Sequence, residues 1–193
     1  FGKVIETEAV VREAIETYRF NDVAGSIYQF TWGTFCDWYV EFAKTVLQGS
    51  DSEAQAETRA TAAWVLDQIL HLLHPIMPFI TEELWEQTGD RQNATLITGA
   101  WPEYAPSTVI AEAELEIDWV VRLISQVRGV RAEMNVPPGA KIPLLLKDAG
   151  ERAQHCVETH VALMVGLARL SSLDFLDGEV PSGAVQDVID EAT

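Results

Sequence analysis

Residues 23–48 read VAGSIYQFTWGTFCDWYVEFAKTVLQ, and their periodicity decides the fold class. Tyr28, Trp32, Phe35, Tyr39, Phe42 and Val46 recur at alternating spacings of four and three. At 100° per residue these positions fall within about 80° of one another, a narrow apolar seam. Such a seam predicts a long helix packed on other helices, its aromatic side chains committed to a core. Asp37, Glu41, Lys44 and Gln48 point away from the seam, while Cys36, Val40 and Leu47 lie on a flank.

The neighbouring segments extend the helical pattern. Residues 3–20 are amphipathic, and Asn21 or Asp22 offers an N-cap to the long helix. Gly49 stops that helix. Ser50, Asp51 and Ser52 then cap a third one over 53–74, with Ala62, Leu66, Ile69 and Leu73 as its seam. Pro75 and Pro78 interrupt the run HPIMPFI at 74–80, and a short helix restarts with Thr81 as its N-cap. Glu82 and Glu83 then sit at the positive end of the helix dipole. Ile76, Met77, Phe79 and Ile80 are expected to pack this run inside the bundle. Gly89 ends the short helix, and 90–108, with Gly99, Pro102 and Pro106, reads as an extended connection. Another helix follows over 110–134, with Val120, Leu123, Ile124 and Val127 inward.

The texture changes at Asn135, Val136, Pro137, Pro138 and Gly139. Each proline lacks a donor and restricts the residue before it, so the helix is not expected to continue. Residues 141–147 read as a strand, 150–159 as a helix, 160–169 as further helical turns, and 172–176 and 184–189 as strand-like. The expected fold is mostly α: a helical bundle over 1–135 and a small α+β module over 136–193.

Composition narrows the function classes. The chain has 193 residues, with 13 Lys and Arg against 30 Asp and Glu, a net charge of −17. Neutralising phosphates supplies most nucleic-acid affinity, so a chain this acidic is not expected to hold RNA tightly alone. No apolar run approaches membrane-spanning length. The start, FGKVIETEAVV, has neither signal-peptide regions nor an initiator Met, which predicts a piece of something longer. Cys36 and Cys156 imply no disulfide framework and suit a reducing, cytoplasmic setting.

Catalytic constellations are not expected. His71 and His74 share a helix face, but no nearby Cys or carboxylate completes a metal set at usual spacings. His155, Cys156 and His160 on one amphipathic helix read as packing rather than as a nucleophile and its base. There is no glycine-rich phosphate loop. Two features keep two readings each. The flank around Cys36, Asp37 and Val40 suits either a neighbouring helix or a planar base. Arg122, Arg128 and Arg131 suit either phosphate or the surrounding acids.

Three stretches carry a family resemblance: FCDWYVEFAK at 35–44, LHLLHPIMPFITEELWEQ at 70–87 and RGVRAEMNVPPGAKIPL at 128–144. In this order they resemble the C-terminal region of class I aminoacyl-tRNA synthetases, with the third stretch most similar to valine enzymes of the bacterial type. The resemblance implies a helical bundle that binds the anticodon stem and loop of tRNA(Val), followed by an α+β module. It implies a catalytic domain elsewhere in the parent, using ATP with magnesium and valine, and neither cofactor nor catalysis in this fragment. It also places helix 35–44 beside the anticodon, with Val40 as an apolar platform and Lys44 on phosphate. Asp37 would orient its neighbours or accept from a base, with Cys36 beside it and Arg128 and Arg131 as further phosphate contacts. The alternatives are the equivalent region of an isoleucine or leucine enzyme, or a helical protein-interaction module.

Overall fold

The computed structural model describes residues 1–105 and 109–189. The elements run α1 (Gly2–Glu16), α2 (Phe20–Phe30), a π-helical segment (Thr31–Val40), α3 (Glu41–Leu47), α4 (Ser52–Leu73) and α5 (Pro78–Thr88). A short 3-10 turn (Leu96–Thr98) precedes α6 (Ala111–Glu133), β1 (Ile142–Lys147), α7 (Glu151–Leu167) and β2 (Leu170–Leu176). The protein is mostly α-helical, with one small two-stranded parallel sheet.

The chain divides into two compact units, Phe1–Ile110 and the remainder from Ala111. That division differs from the break expected at residues 135/136. Helix α6 packs with α7, so the Pro-Pro-Gly turn lies inside the second unit and joins α6 to β1. Arg131 braces the turn from within. Its guanidinium is buried and donates to the carbonyl oxygens of Pro137, Ala140 and Arg169. The helix ends at Glu133, before either proline, and the φ of 52° at Asn135 lets the Val136 amide donate back to the Arg131 carbonyl.

In the first unit, Val11, Ala14, Val23, Ile27 and Leu72 form one core cluster, and Val4, Phe30, Val65 and Ile69 another. The helix expected over 23–48 begins earlier, at Phe20, and neither Asn21 nor Asp22 caps it. Tyr18 takes a positive φ of 59°, which turns the chain from α1 into α2. Asp51 caps α4 as expected, accepting from the amides of Glu53 and Ala54. The arm after α5 is fastened by Arg91, which forks onto the Asp67 carboxylate and lies 3.6 Å over the Trp85 ring. Residues 106–108 of the expected connection lie outside the described residues.

Two expectations about 74–81 fail together. Helix α5 starts at Pro78, where a missing amide costs nothing, so Thr81 is not its N-cap. Thr81 is instead fully buried, donating to the Met77 carbonyl and bonded to His74 Nδ1 at 2.8 Å. With Thr81 turned inward, the apolar residues around it face out. Phe79 is 92% exposed, and Ile76, Met77 and Ile80 are exposed as well.

In the second unit, Trp119, Val120, Leu123, Ile124 and Val127 of α6 are buried, as are Cys156, Val157 and Met164 of α7. Strands β1 and β2 pair in parallel from Ile142↔Leu170 to Lys147↔Leu176, with α7 as the crossover. Residues 160–167 continue α7 as one helix. Residues 184–188 form no strand, and only Ile189 makes an isolated bridge. Val185 and Val188 stay exposed, and the stretch is held by its end, where Gln126 donates to the Val188 carbonyl and Ile189 is buried.

Candidate nucleic-acid interface

The stretch expected to face RNA, 35–44, overlaps the π-helical segment, with residues 41–44 in α3. The chain passes from α2 through residues 31–40 into α3 with helical dihedrals at both junctions. A π turn bonds residue i to i+5 and is wider than the 3.6-residue α turn, so side-chain phase slips along it. The single seam expected from Tyr28 to Val46 is therefore broken. Tyr28 and Trp32 are 66% and 56% exposed, while Phe30 and Ala43 are the buried residues on either side of the slip.

Phe35 and Tyr39 remain on the inner side. Their rings stack with centroids 5.6 Å apart, and the Tyr39 hydroxyl donates to the Thr58 carbonyl of α4 at 2.9 Å. Burial raises the Tyr39 pKa, and the nearby Glu57 carboxylate adds to it. Trp38 and Phe42 form a second, tilted ring pair.

Against that anchored face, Cys36 and Val40 are partly buried and Asp37 is exposed. Lys44 stands one turn beyond Val40 and pairs with Glu41 in a solvent-exposed ion pair. A pair of this kind is worth under about 1 kcal/mol, so exchanging Glu41 for a phosphate costs Lys44 little. Cys36, Asp37, Val40 and Lys44 thus share one stretch of helix: an apolar step flanked by an acid and an exposed, ion-paired cation.

The two arginines expected beside them belong to the second unit. Arg128 is exposed, with its Nε donating to the Leu167 carbonyl at 3.1 Å. Arg131 is only 7% exposed, and its donors serve the carbonyls of Pro137 and Ala140 at the Pro-Pro-Gly turn and of Arg169 just before β2. A guanidinium held this way has no face left for phosphate. Arg122, the other arginine of α6, pairs with Asp118.

His160 bonds Glu116 at 2.6 Å, and Cys156 is buried in the core of its unit. Among the described residues, no three His, Cys, Asp or Glu side chains converge to hold a metal ion. No helix among the described residues is long and apolar enough to cross a membrane.

Comparison with known proteins gives this geometry its setting. The family profile for the anticodon-binding domain of tRNA ligase matches residues 2–146. The chain belongs to that family. The matched span includes α6 and most of β1, so this anticodon-binding domain runs across the division between the two compact units. The chain is 48% identical over 195 residues to the valine–tRNA ligase of Caulobacter vibrioides, an alignment covering 100% of this chain and 21% of that protein. It is 44% identical to the enzyme of Rhizorhabdus wittichii, again over 100% of this chain and 21% of the relative. With the enzyme of Granulibacter bethesdensis the identity is 48%, over 93% of this chain and 20% of the relative. The chain thus spans about a fifth of the length of the curated relatives it matches.

Proposed function

We propose that this anticodon-binding domain holds the anticodon stem and loop of tRNA(Val) for ATP-dependent attachment of valine by a catalytic domain outside these residues. The observation that carries the reading is an alignment with valine–tRNA ligases that runs the full length of this chain. The isoleucine and leucine readings, and the adaptor reading, have no comparable support. ATP and valine are then substrates of the larger synthetase, which works in the cytoplasm.

The contact surface is the outer side of the helix at 36–44. Val40 offers an apolar step against which an unpaired base rests by van der Waals contact. Lys44 leaves Glu41 to meet a backbone phosphate, and Asp37 accepts from a base edge or orients its neighbours, with Cys36 beside it. Arg128 supplies a further phosphate contact from α6. Arg131 drops out of this set, because it holds the Pro-Pro-Gly turn. A π-helical segment at this position supports the assignment, since such segments are rare and concentrate at functional sites. The net charge of −17 fits a domain that works beside more basic surfaces of a larger enzyme.

Filter binding of valine tRNA to the full synthetase over a salt series tests the assignment. Lys44→Ala is expected to weaken binding and reduce the salt slope by about one phosphate contact. Val40→Asp is expected to weaken it more, adding like-charge repulsion to the lost apolar contact. If both variants melt and bind like the wild type, the 36–44 surface does not face the anticodon.

A further inference from the structure

The outer face of α2 departs from the rest of this acidic surface. From Val23 to Cys36 the chain carries no charged residue, in a protein with 30 acids and 13 bases. Val23, Ile27 and Phe30 fill the core, so that face is already spent. On the opposite face Ala24, Gly25, Tyr28, Gln29 and Trp32 are all exposed. The Tyr28 and Trp32 rings lean together with centroids 6.5 Å apart. One turn earlier, a Cβ added to Gly25 meets nothing within 4 Å, so the surface there is open and low. Two small residues followed by a ring pair make a shallow, charge-free groove along the helix.

We infer that this groove is a helix-docking surface, filled in the full synthetase by an amphipathic helix from outside these 193 residues. Interface centres are depleted of charge and enriched in Tyr and Trp, as here. Ala24 and Gly25 let another backbone come close, in the way helix packing requires. Asp22 at one end is already held by Arg19 at 3.0 Å, and Asp37 lies at the other, so the incoming helix carries an aliphatic stripe with a Lys or Arg towards the Asp37 end. Two other occupants fit less well. RNA binds through its phosphates, and this face offers no cation to receive them. A second copy brings a second net charge of −17 against the first. A helix of the same polypeptide is close by construction, and some four-fifths of the length of the matched relatives lies outside this chain. The inference rests on the chain being part of a larger synthetase and is independent of which residues touch the anticodon.

Hydroxyl-radical labelling read by mass spectrometry tests it on wild-type protein. Tyr28 and Trp32 are labelled in the full synthetase without tRNA and with valine tRNA, each rate taken relative to the free amino acid. The expected result is labelling of both residues severalfold below what rings 66% and 56% exposed would give, unchanged when tRNA is added. Labelling that matches those exposures in the tRNA-free synthetase overturns the inference. Protection that appears only with tRNA also overturns it and makes the face an RNA surface. Protection that grows with the concentration of the synthetase overturns it in favour of self-association. The tRNA-free comparison keeps this outcome separate from the filter-binding test of the 36–44 surface.

Discussion

The Tyr39 hydroxyl spans 2.9 Å to the Thr58 carbonyl oxygen, tying the π-helical segment to the first half of α4. Together with the stacking of its ring on Phe35, that bond keeps Tyr39 on the inner side of the helix. Tyr39→Phe keeps the ring stacked on Phe35 and loses only the bond, so it is expected to cost about 1 kcal/mol. The tRNA affinity of the synthetase should not change. Urea unfolding of the variant, alongside filter binding, checks both halves.

Glu41 holds the Lys44 ammonium in an exposed ion pair and would compete for it with an incoming phosphate. Glu41→Gln frees the ammonium and removes a negative charge from the proposed RNA-facing side. The expected result is tighter binding of valine tRNA with an unchanged salt slope, because the number of phosphate contacts stays the same. Stability should move by less than about 1 kcal/mol, as for other exposed ion pairs. Weaker binding in the low-salt titration would mean that Glu41 holds Lys44 in its productive position.

Arg131 has a structural duty that is measurable. Arg131→Met keeps the apolar stem but removes the guanidinium from the carbonyls of Pro137, Ala140 and Arg169. The expected loss is about 1.5–3 kcal/mol, since the donor is charged and its own residue is buried. Arg131→Lys should recover only part of it, because a point charge cannot fork across three acceptors. The midpoint of chemical unfolding, followed by circular dichroism, gives the comparison.

Tyr104 makes the first unit sensitive to alkali. Its hydroxyl donates to Gln68, and burial, with the Glu8 carboxylate adding to it, pushes its pKa up to about 12. The folded state therefore holds the proton more tightly than the unfolded chain, whose tyrosine titrates near 10. The stabilisation this represents is complete below pH 10 and is lost as pH rises towards 12. Tyr104→Phe is expected to flatten the fall in stability across that window. In an ultraviolet titration of tyrosinate, the variant should lack the latest-titrating component.

Where the α-helical period is undisturbed, side-chain burial is readable from spacing alone. The inward face of α6, from Val120 to Val127, and the Asp51 cap of α4 are both of this kind. Tyr28 and Trp32 escape such reading because no residue type announces a π turn, and the widened stretch changes the phase of α2 relative to Phe35 and Tyr39, so that Ile27 and Phe30 face the core in their place. The 74–80 run escapes for a different reason. Apolar character shows that Phe79 wants cover, without showing whether the cover lies in the same unit. Arg128 and Arg131 are chemically identical in the sequence, and only the fold of the Pro-Pro-Gly turn shows which of them is engaged. That turn also reads as a domain limit although it is an internal corner, because two prolines stop a helix equally well in either setting. The candidate RNA-facing residues were recognisable through their resemblance to known enzymes, and charge alone would have argued against them.

The wide turns between Thr31 and Val40 also make residue count a setting in its own right. Each residue there rotates the chain less than it would in an α-helix, so the bearing of Lys44 relative to Ile27 depends on how many residues intervene, whatever their identity. Removing one residue while the others keep their wide turns would swing everything after it by somewhat less than the ~100° of an α-helical residue. The segment works like a vernier: a change in its length re-aims the Lys44 side of the rod without altering a single residue at either end.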